Sequence, residues 1–385
     1  MTMIHAIKAA AIFDGESWHD DAVLVHRDGI VDAVVPAADL PGSADVVELD
    51  GMLVPGFVDL QVNGGGGVML NDRQDVETIR TICTAHARFG TTALLPTLIT
   101  DTPEVTRAAV EAGAGALAAR VPGFLGLHLE GPHLSLSRKG AHDPMLIRPM
   151  LDADEAALIA AHEKVPVLLT TVAPESVEPA RIARLAQAGI VVSLGHSDTS
   201  YGRAVACAEA GASMATHLFN AMSQIGNREP GLVGAAIDAG AFSAGLIADG
   251  IHVDAATIRI AVKAKNGPGH IFLVTDAMAT IGTEMASFTL NGRRITRSGG
   301  KLTLDDGTLA GADLDMISAV RFMHRTIGLE LGEALRMASL YPARAMKVDA
   351  SHGRFVNGAR ADIVHLTDGL DIGNVWIGGE KVFAA

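Results

Sequence analysis

The 385-residue sequence predicts an α/β fold, a (β/α)8 TIM barrel with a small β-sandwich domain formed by both termini. Three observations predict it. Short β-like segments broken by Asp-Gly and Pro-Gly turns fill both ends of the chain. Between them, eight apolar runs alternate with Ala-rich stretches, several of helical period. Residues able to bind a metal or carry a proton stand where several of those runs end.

Taken in order, 4–12, 21–25, 30–35 and 46–49 read as strands, and 361–366, 375–377 and 380–384 repeat the style at the other end. We therefore assign 1–54 and 347–385 to one β-domain and 55–346 to the barrel. The barrel strands are expected at 53–62, 92–97, 123–129, 165–172, 190–194, 213–217, 243–248 and 271–275. Segments 76–88, 106–119 and 180–188 carry the period of crossover helices. A hairpin over 288–304, turning at Asn291-Gly292, follows the eighth strand. An open doubly wound sheet competes, but no Gly-rich dinucleotide fingerprint follows the first strand.

Bulk properties narrow the function. With 30 Lys and Arg against 44 Asp and Glu, the net charge of −14 argues against nucleic acid or an anionic membrane as partner. An anionic substrate would need a local positive site. Only Cys83 and Cys207 are present, so no disulfide framework is expected. Met1-Thr2-Met3-Ile4-His5 does not open a signal peptide, and no apolar run approaches ~18 residues. The expected location is cytoplasmic.

Glu130, His196, His217 and Asp276 fall at the ends of strands three, five, six and eight. A carboxylate and two imidazoles make a three-ligand set for Zn²⁺ or a similar metal, with a position left for water. Asp276 can then take a proton from that water and return it to a leaving nitrogen. His128 shares the strand face of Glu130 by the two-residue period and is either a fourth ligand or, preferably, a barrel-facing residue beneath the site. Gln61 and Asn63 end strand one, and neutral amides are poor Zn²⁺ ligands, so one tightly bound metal is expected rather than two. His86, His162, His270, His324, His352 and His365 read as structural or surface residues.

Pro55-Gly56-Phe57-Val58-Asp59-Leu60-Gln61-Val62-Asn63-Gly64, His128-Leu129-Glu130-Gly131-Pro132 and Lys139-Gly140-Ala141-His142 resemble the N-acetylglucosamine-6-phosphate deacetylases of the amidohydrolase superfamily. So do His217-Leu218-Phe219-Asn220-Ala221-Met222, Arg228-Glu229-Pro230-Gly231-Leu232, Ala248-Asp249-Gly250-Ile251-His252-Val253-Asp254 and Val274-Thr275-Asp276-Ala277. The match continues to Met337-Ala338-Ser339-Leu340-Tyr341-Pro342-Ala343-Arg344-Ala345 and covers almost the whole chain in order.

The resemblance implies one divalent metal per subunit on Glu130, His196 and His217, Zn²⁺ as first choice and Fe²⁺, Co²⁺ or Mn²⁺ as alternatives. It implies Asp276 as general base and then acid, and His142 as a catalytic residue that contacts the substrate and polarises the acetamide. Asn220, Ala221 and His252 match substrate-binding positions, and Gln61 and Asn63 are placed with them. Arg228 matches an arginine that reaches the phosphate from the neighbouring subunit of a homodimer, and a guanidinium fork suits that role. The implied reaction converts an amino-sugar phosphate, N-acetyl-D-glucosamine 6-phosphate, to glucosamine 6-phosphate and acetate.

The same pattern serves N-acetylgalactosamine-6-phosphate deacetylases. A non-catalytic sugar-phosphate-binding barrel is the reading from another class, and an intact Asp276 stands against it. A dihydroorotase or an N-acyl-amino-acid deacylase is disfavoured by the absence of His-x-His on strand one. Departures from the family pattern are His133, a further ligand or proton carrier near the metal, Ala279-Thr280, and Asp313 and Asp315, which bear on the preferred sugar or its phosphate.

Overall fold

Eight parallel strands pair in chain order in the computed structural model, which describes residues 4–40 and 44–385. Residues 1–3, part of the segment read for a leader, lie outside the described residues. The strands are β1 Phe57–Val62, β2 Thr91–Ile99, β3 Leu127–Glu130, β4 Leu168–Val172, β5 Val191–Leu194, β6 Met214–Ala215, β7 Ser243–Leu246 and β8 Ile271–Leu273. β1 to β5 are buried at every residue, so they do not alternate apolar with exposed polar positions, and polar residues such as Asp59, His128 and Thr171 lie inside the barrel.

The ladder runs from β1 to β8, and the seam between β8 and β1 is closed otherwise. A parallel bridge joins Val62 to Ala277. Asp276 N–H donates to Gln61 O at 2.9 Å, and Asn63 N–H to Ala277 O at 2.8 Å.

Local chemistry starts the crossover helices. Asp75 caps Val76–Ala87 by accepting from Thr78 N–H, and Thr102 caps Pro103–Ala118, whose proline stands in the first turn where no N–H is needed. Ser200 and Asp254 cap Tyr201–Glu209 and Ala255–Ala264 in the same way. The apolar faces of these helices join the barrel wall in one core, with Ile79, Ile82, Ala109, Ala204 and Ile258 among its members.

The terminal segments form two sheets. One orders Ile30–Pro36, Ala22–Arg27, His5–Lys8 and Asp45–Glu48. The other orders Glu380–Ala384, Ile372–Ile377, Ile363–Leu366, Met52–Pro55, Ala11–Phe13 and Trp18–Asp20, so strands from both ends of the chain lie side by side. Ile7, Ile12, Leu24, Leu53, Ile363 and Trp376 pack together as the core of this sandwich.

Several strand expectations are corrected in detail. The run 53–62 is two strands in two sheets. It breaks at Gly56, which packs so tightly on Thr92 that a Cβ there would meet the threonine side chain. The run 4–12 likewise divides between the two terminal sheets. β6 stops at Ala215 instead of His217, because the backbone turns left-handed at His217. The hairpin after β8 turns at Asn291 and Gly292 (φ 50° and 72°), as a two-residue primed turn requires. It belongs to a four-stranded antiparallel sheet, Ser287–Leu290, Arg293–Ser298, Lys301–Thr303 and Leu309–Ala312, whose last strand returns to the barrel through an Ala277–Ala312 bridge. No helix among the described residues is long and apolar enough to cross a membrane.

Candidate active site

Glu130, His196 and His217 meet at the carboxyl ends of β3, β5 and β6. Glu130 Oε1 lies 3.2 Å from His196 Nε2 and 3.3 Å from His217 Nε2, and the two Nε2 atoms are 3.0 Å apart. All three residues are buried. His196 Nδ1–H donates to Arg138 O at 2.8 Å, which leaves its Nε2 as a lone pair facing the cluster.

Backbone strain brings these groups inward. His196, His217 and Asp276 have φ of 47°, 26° and 51°, a region that costs a non-glycine residue roughly 1–3 kcal/mol. Neighbouring backbone holds each in place. Ser135 N–H donates to His196 O, Asn220 N–H to His217 O and Ala312 N–H to Asp276 O, at 2.9, 2.9 and 2.8 Å.

Asp276 stands beside the cluster and is tied to it by amides. Its Oδ1 accepts from Asn63 Nδ2 at 2.7 Å and from Gln61 Nε2 at 3.1 Å. The same Gln61 nitrogen lies 3.3 Å from both oxygens of Glu130. Burial, reinforced by the charge of Glu130, pushes the Asp276 carboxyl above the ordinary range. Burial acts on Glu130 in the same sense, but the imidazoles of His196, His217 and His142 packed around it outweigh burial and hold that carboxyl well below the ordinary range. The two acids are therefore driven apart, one towards binding a proton and one towards staying ionised.

His142 reaches the cluster from the loop after β3, its Nε2 4.0 Å from Glu130 Oε2. Thr100 N–H donates to His142 Nδ1 at 3.3 Å, with the Thr100 hydroxyl at 2.7 Å from the same nitrogen; with Nδ1 accepting, the ring proton sits on Nε2 and points at the site. Burial, with the neighbouring His196, holds this imidazole well below its usual range, so the ring is neutral. His252 Nδ1–H donates to Asp249 Oδ2 at 2.6 Å, which orients a nearly buried ring on the cavity wall.

These groups open on a cavity of about 390 Å³. Asn63, His142, Asn220, Ala221, His252 and Asp276 line it, whereas Gln61 lies beneath, against the two carboxylates. The sheet after β8 contributes Leu290, Leu309 and Gly311 to the wall, with Thr308 just before its last strand. Arg293 of that sheet donates to Ala141 O, next to His142.

Other expected positions fall elsewhere. Arg228 is exposed in the loop after β6 and does not line this cavity. His133 is corrected: it turns away from the cluster, bonds Arg148 O at 3.1 Å, and lines a second cavity of about 320 Å³ between helices Pro103–Ala118 and Asp152–Lys164. The concern over Asp313 and Asp315 is corrected too, since neither lines the cavity. Asp313 pairs with Arg297 at 2.6 Å and accepts from Thr280, and Asp315 caps the helix Met316–Arg321. His128 lies below the site, bonded to Thr171 at 2.8 Å.

Sequence reasoning missed Thr100, Asp249, Arg138 and Asp59. Arg138 is a cationic side chain that lines the cavity, where it pairs with Asp198. Asp59 carried a readable signal, an acid inside the apolar strand Phe57-Val58-Asp59-Leu60.

The donor set fits a divalent cation. A lone pair on His196 Nε2, a second imidazole nitrogen and a carboxylate oxygen lie within 3.3 Å of one another, the donor types and the convergence that a divalent cation takes. Glu130, His142 and His196 also place donor atoms within 4.8 Å of one another. The proton on His142 Nε2 makes that residue a hydrogen-bond donor rather than a ligand, which favours His217 as the third member.

A model of the amidohydrolase family matches residues 52–382. An N-acetylgalactosamine-6-phosphate deacetylase of Shewanella sp. (strain ANA-3) is 43% identical over 335 residues, 87% of this chain and 84% of that protein. An N-acetylglucosamine-6-phosphate deacetylase of Haemophilus influenzae is 36% identical over 365 residues, 94% of each chain. The solved N-acetylglucosamine-6-phosphate deacetylase of Pasteurella multocida superposes with a TM-score of 0.95 at 35% identity, over 100% of both chains. A mutant of the Mycobacterium smegmatis enzyme, solved with N-acetyl-D-glucosamine-6-phosphate, gives a TM-score of 0.92 at 32% identity, over 99% of this chain and 100% of that one.

Proposed function

The chain belongs to the amidohydrolase family, and from that premise we propose how it hydrolyses the acetamide of N-acetyl-D-glucosamine 6-phosphate to glucosamine 6-phosphate and acetate. The observation that carries the reading is the second carboxylate: Asp276 stands beside the Glu130–His196–His217 cluster, bridged to it through Gln61 and held by Asn63. A barrel that only bound the sugar would have no use for it.

Glu130, His196 and His217 would hold one divalent cation, Zn²⁺ by its preference for this nitrogen and oxygen set, with Fe²⁺, Co²⁺ or Mn²⁺ able to replace it. When bound, the cation supplies Lewis acidity to the carbonyl and makes water a better nucleophile near neutral pH. Gln61 and Asn63 direct their NH₂ groups at carboxylates, which supports a single-metal site.

The chain's own groups do the rest. Asp276 receives the proton of the attacking water on Oδ2, the oxygen to which neither amide donates. His142 donates Nε2–H to the carbonyl oxygen as it gains charge. Asp276 then returns its proton to the nitrogen, the C–N bond breaks, and acetate and the amine leave. His252, Asn220 and Ala221 hold the sugar, with Asn63 supporting Asp276. Arg228 reaches the phosphate from the partner subunit of a homodimer, a role its exposed position supports. We place the enzyme in the cytoplasm, where its two free, buried cysteines suit a reducing compartment.

The relative at 43% identity favours a second substrate, the galacto epimer. Acetate release from purified, metal-loaded protein tests both readings, run on gluco and galacto N-acetyl sugars with and without the 6-phosphate. Activity only on unphosphorylated sugars would reject the proposal, and no release at all would favour a binding role.

A further inference from the structure

We propose that Asp59 is a positioning residue for the reaction, a carboxylate set in the β8–β1 seam that holds Asp276 in the orientation proton transfer needs. The inference rests on the reading of Asp276 as the proton carrier.

Asp59 is wholly buried, inside a strand whose neighbours Phe57, Val58 and Leu60 are apolar. Its three bonds all cross to, or fold back on, residues that position Asp276. Oδ1 accepts from Thr275 N–H and from Gln61 N–H, both at 3.2 Å, and Oδ2 bonds Thr275 Oγ1 at 2.6 Å. Thr275 directly precedes Asp276. Gln61 accepts Asp276 N–H on its carbonyl and donates its side-chain amide to Asp276 Oδ1.

The seven other strand junctions are joined by backbone ladders. Here a side-chain oxygen takes the place of a carbonyl as the acceptor for Thr275 N–H. An apolar residue at 59 would leave the Thr275 and Gln61 N–H donors unpaired inside the barrel, and the Thr275 hydroxyl with only its longer contacts to Gln61 O and Ala277 N–H, at 3.5 and 3.3 Å. Burial meanwhile pushes the Asp59 carboxyl up to about 7, only partly offset by the bonds from Thr275 and Gln61. Ordinary strand pairing could close a barrel without a buried acid. What a ladder cannot do is grip both residues that flank and orient Asp276, whose left-handed backbone would relax if they loosened. Displacement of a reacting group by about 1 Å can cost ~10²-fold in rate.

The test compares metal-loaded wild type with Asp59→Ala, Asp59→Asn, Thr275→Val and Asp276→Asn. It reads kcat and KM for N-acetylglucosamine 6-phosphate, metal content, thermal unfolding and the pH profile of kcat. Asp59→Ala should lower kcat per metal site by roughly 10- to 100-fold, leave KM within about twofold and move the acid limb of the profile. Asp59→Asn should recover most of that loss, because its Oδ1 still accepts both N–H groups and its amide donates to Thr275 Oγ1. A lower melting temperature with unchanged kcat per site, a change confined to KM, or an Asn variant as impaired as Ala would each overturn the role. If Asp59→Ala fails to fold, Thr275→Val decides: kcat lowered by about 3- to 10-fold supports the role, and wild-type kcat overturns it. High activity in Asp276→Asn would instead reject the proton-carrier reading itself.

Discussion

Nδ1 of His142 meets Thr100 twice, accepting from its backbone N–H at 3.3 Å and bonded to its hydroxyl at 2.7 Å, and these bonds decide what His142 can do. A backbone N–H can only donate, so Nδ1 accepts and the ring proton lies on Nε2, aimed at the cluster 4.0 Å from Glu130 Oε2. His142 is thereby a neutral donor, kept uncharged by burial and by His196. Replacing it with Gln should lower kcat by ~10²–10³-fold with a smaller change in KM, the behaviour of a donor that acts on developing charge. Steady-state kinetics check this, and an effect confined to KM would assign His142 to ground-state binding only.

Asp276→Asn should keep the fold and the metal while losing ~10²–10⁴-fold in kcat, since one group serves both proton transfers. Asn63 Nδ2 and Gln61 Nε2 can still donate to the remaining amide oxygen, so the site should keep its shape. Melting temperature and metal content control for damage. Activity within about threefold of wild type, well inside that expectation, would mean that another group moves the proton.

Metal analysis after dialysis should find one equivalent of divalent cation per chain. The amides of Gln61 and Asn63 are occupied as donors to Glu130 and Asp276, and neither offers a second site a charged ligand. A second equivalent bound beside Gln61 would contradict this.

The Asp59 carboxyl, pushed up to about 7 from 3.8, has a stability consequence with a defined sign. Between those values the folded chain binds a proton that the unfolded chain has released. Its contribution is therefore complete below pH 3.8 and is lost as the pH rises through about 7. Wild type should lose about 1–3 kcal/mol relative to Asp59→Asn as pH rises from about 5 to 7, with no further loss above about 8. Denaturant unfolding of both proteins across that range measures the difference, in which groups common to the two cancel. A difference that stays flat with pH would show that Asp59 keeps an ordinary affinity for its proton.

The barrel and the cluster of side chains gathered at its mouth were legible because local sequence encodes them. Glu130, His196, His217 and Asp276 each close an apolar run, and a barrel gathers strand ends onto one face whatever their separation in sequence. Relationships made only by closure were not legible. Asp59 and Thr275 are 216 positions apart and meet at the seam, and the tautomer of His142 is set by a loop 42 positions away. His133 misled for a geometric reason: it follows Glu130 closely, but past Gly131 and Pro132 the chain has turned, and its ring faces the outer helices. The break at Gly56 was hidden because an uninterrupted apolar run can pass from one sheet to another without any change of residue type.

The phosphate supplies the last prediction. In a chain of net charge −14 a local cation must hold it, and two arginines compete for the task. Arg138 lines the cavity but is already paired with Asp198 at 2.7 Å. Arg228 is exposed on the loop after β6 and does not line its own chain's cavity, which suits delivery to a partner's site. Charge-assisted bonds to phosphate contribute roughly 1.5–3 kcal/mol each. Arg228→Ala should therefore lower kcat/KM for the 6-phosphate by about 10- to 150-fold, and scarcely alter the rate on the unphosphorylated sugar. Mixing Arg228→Ala with Asp276→Asn subunits should restore activity, because in the mixed dimer the site with an intact Asp276 receives an intact Arg228 from its neighbour. No rescue where subunits demonstrably exchange would reject delivery across the interface. If Arg138→Ala rather than Arg228→Ala produces the phosphate-specific loss, the anion is held from within the chain.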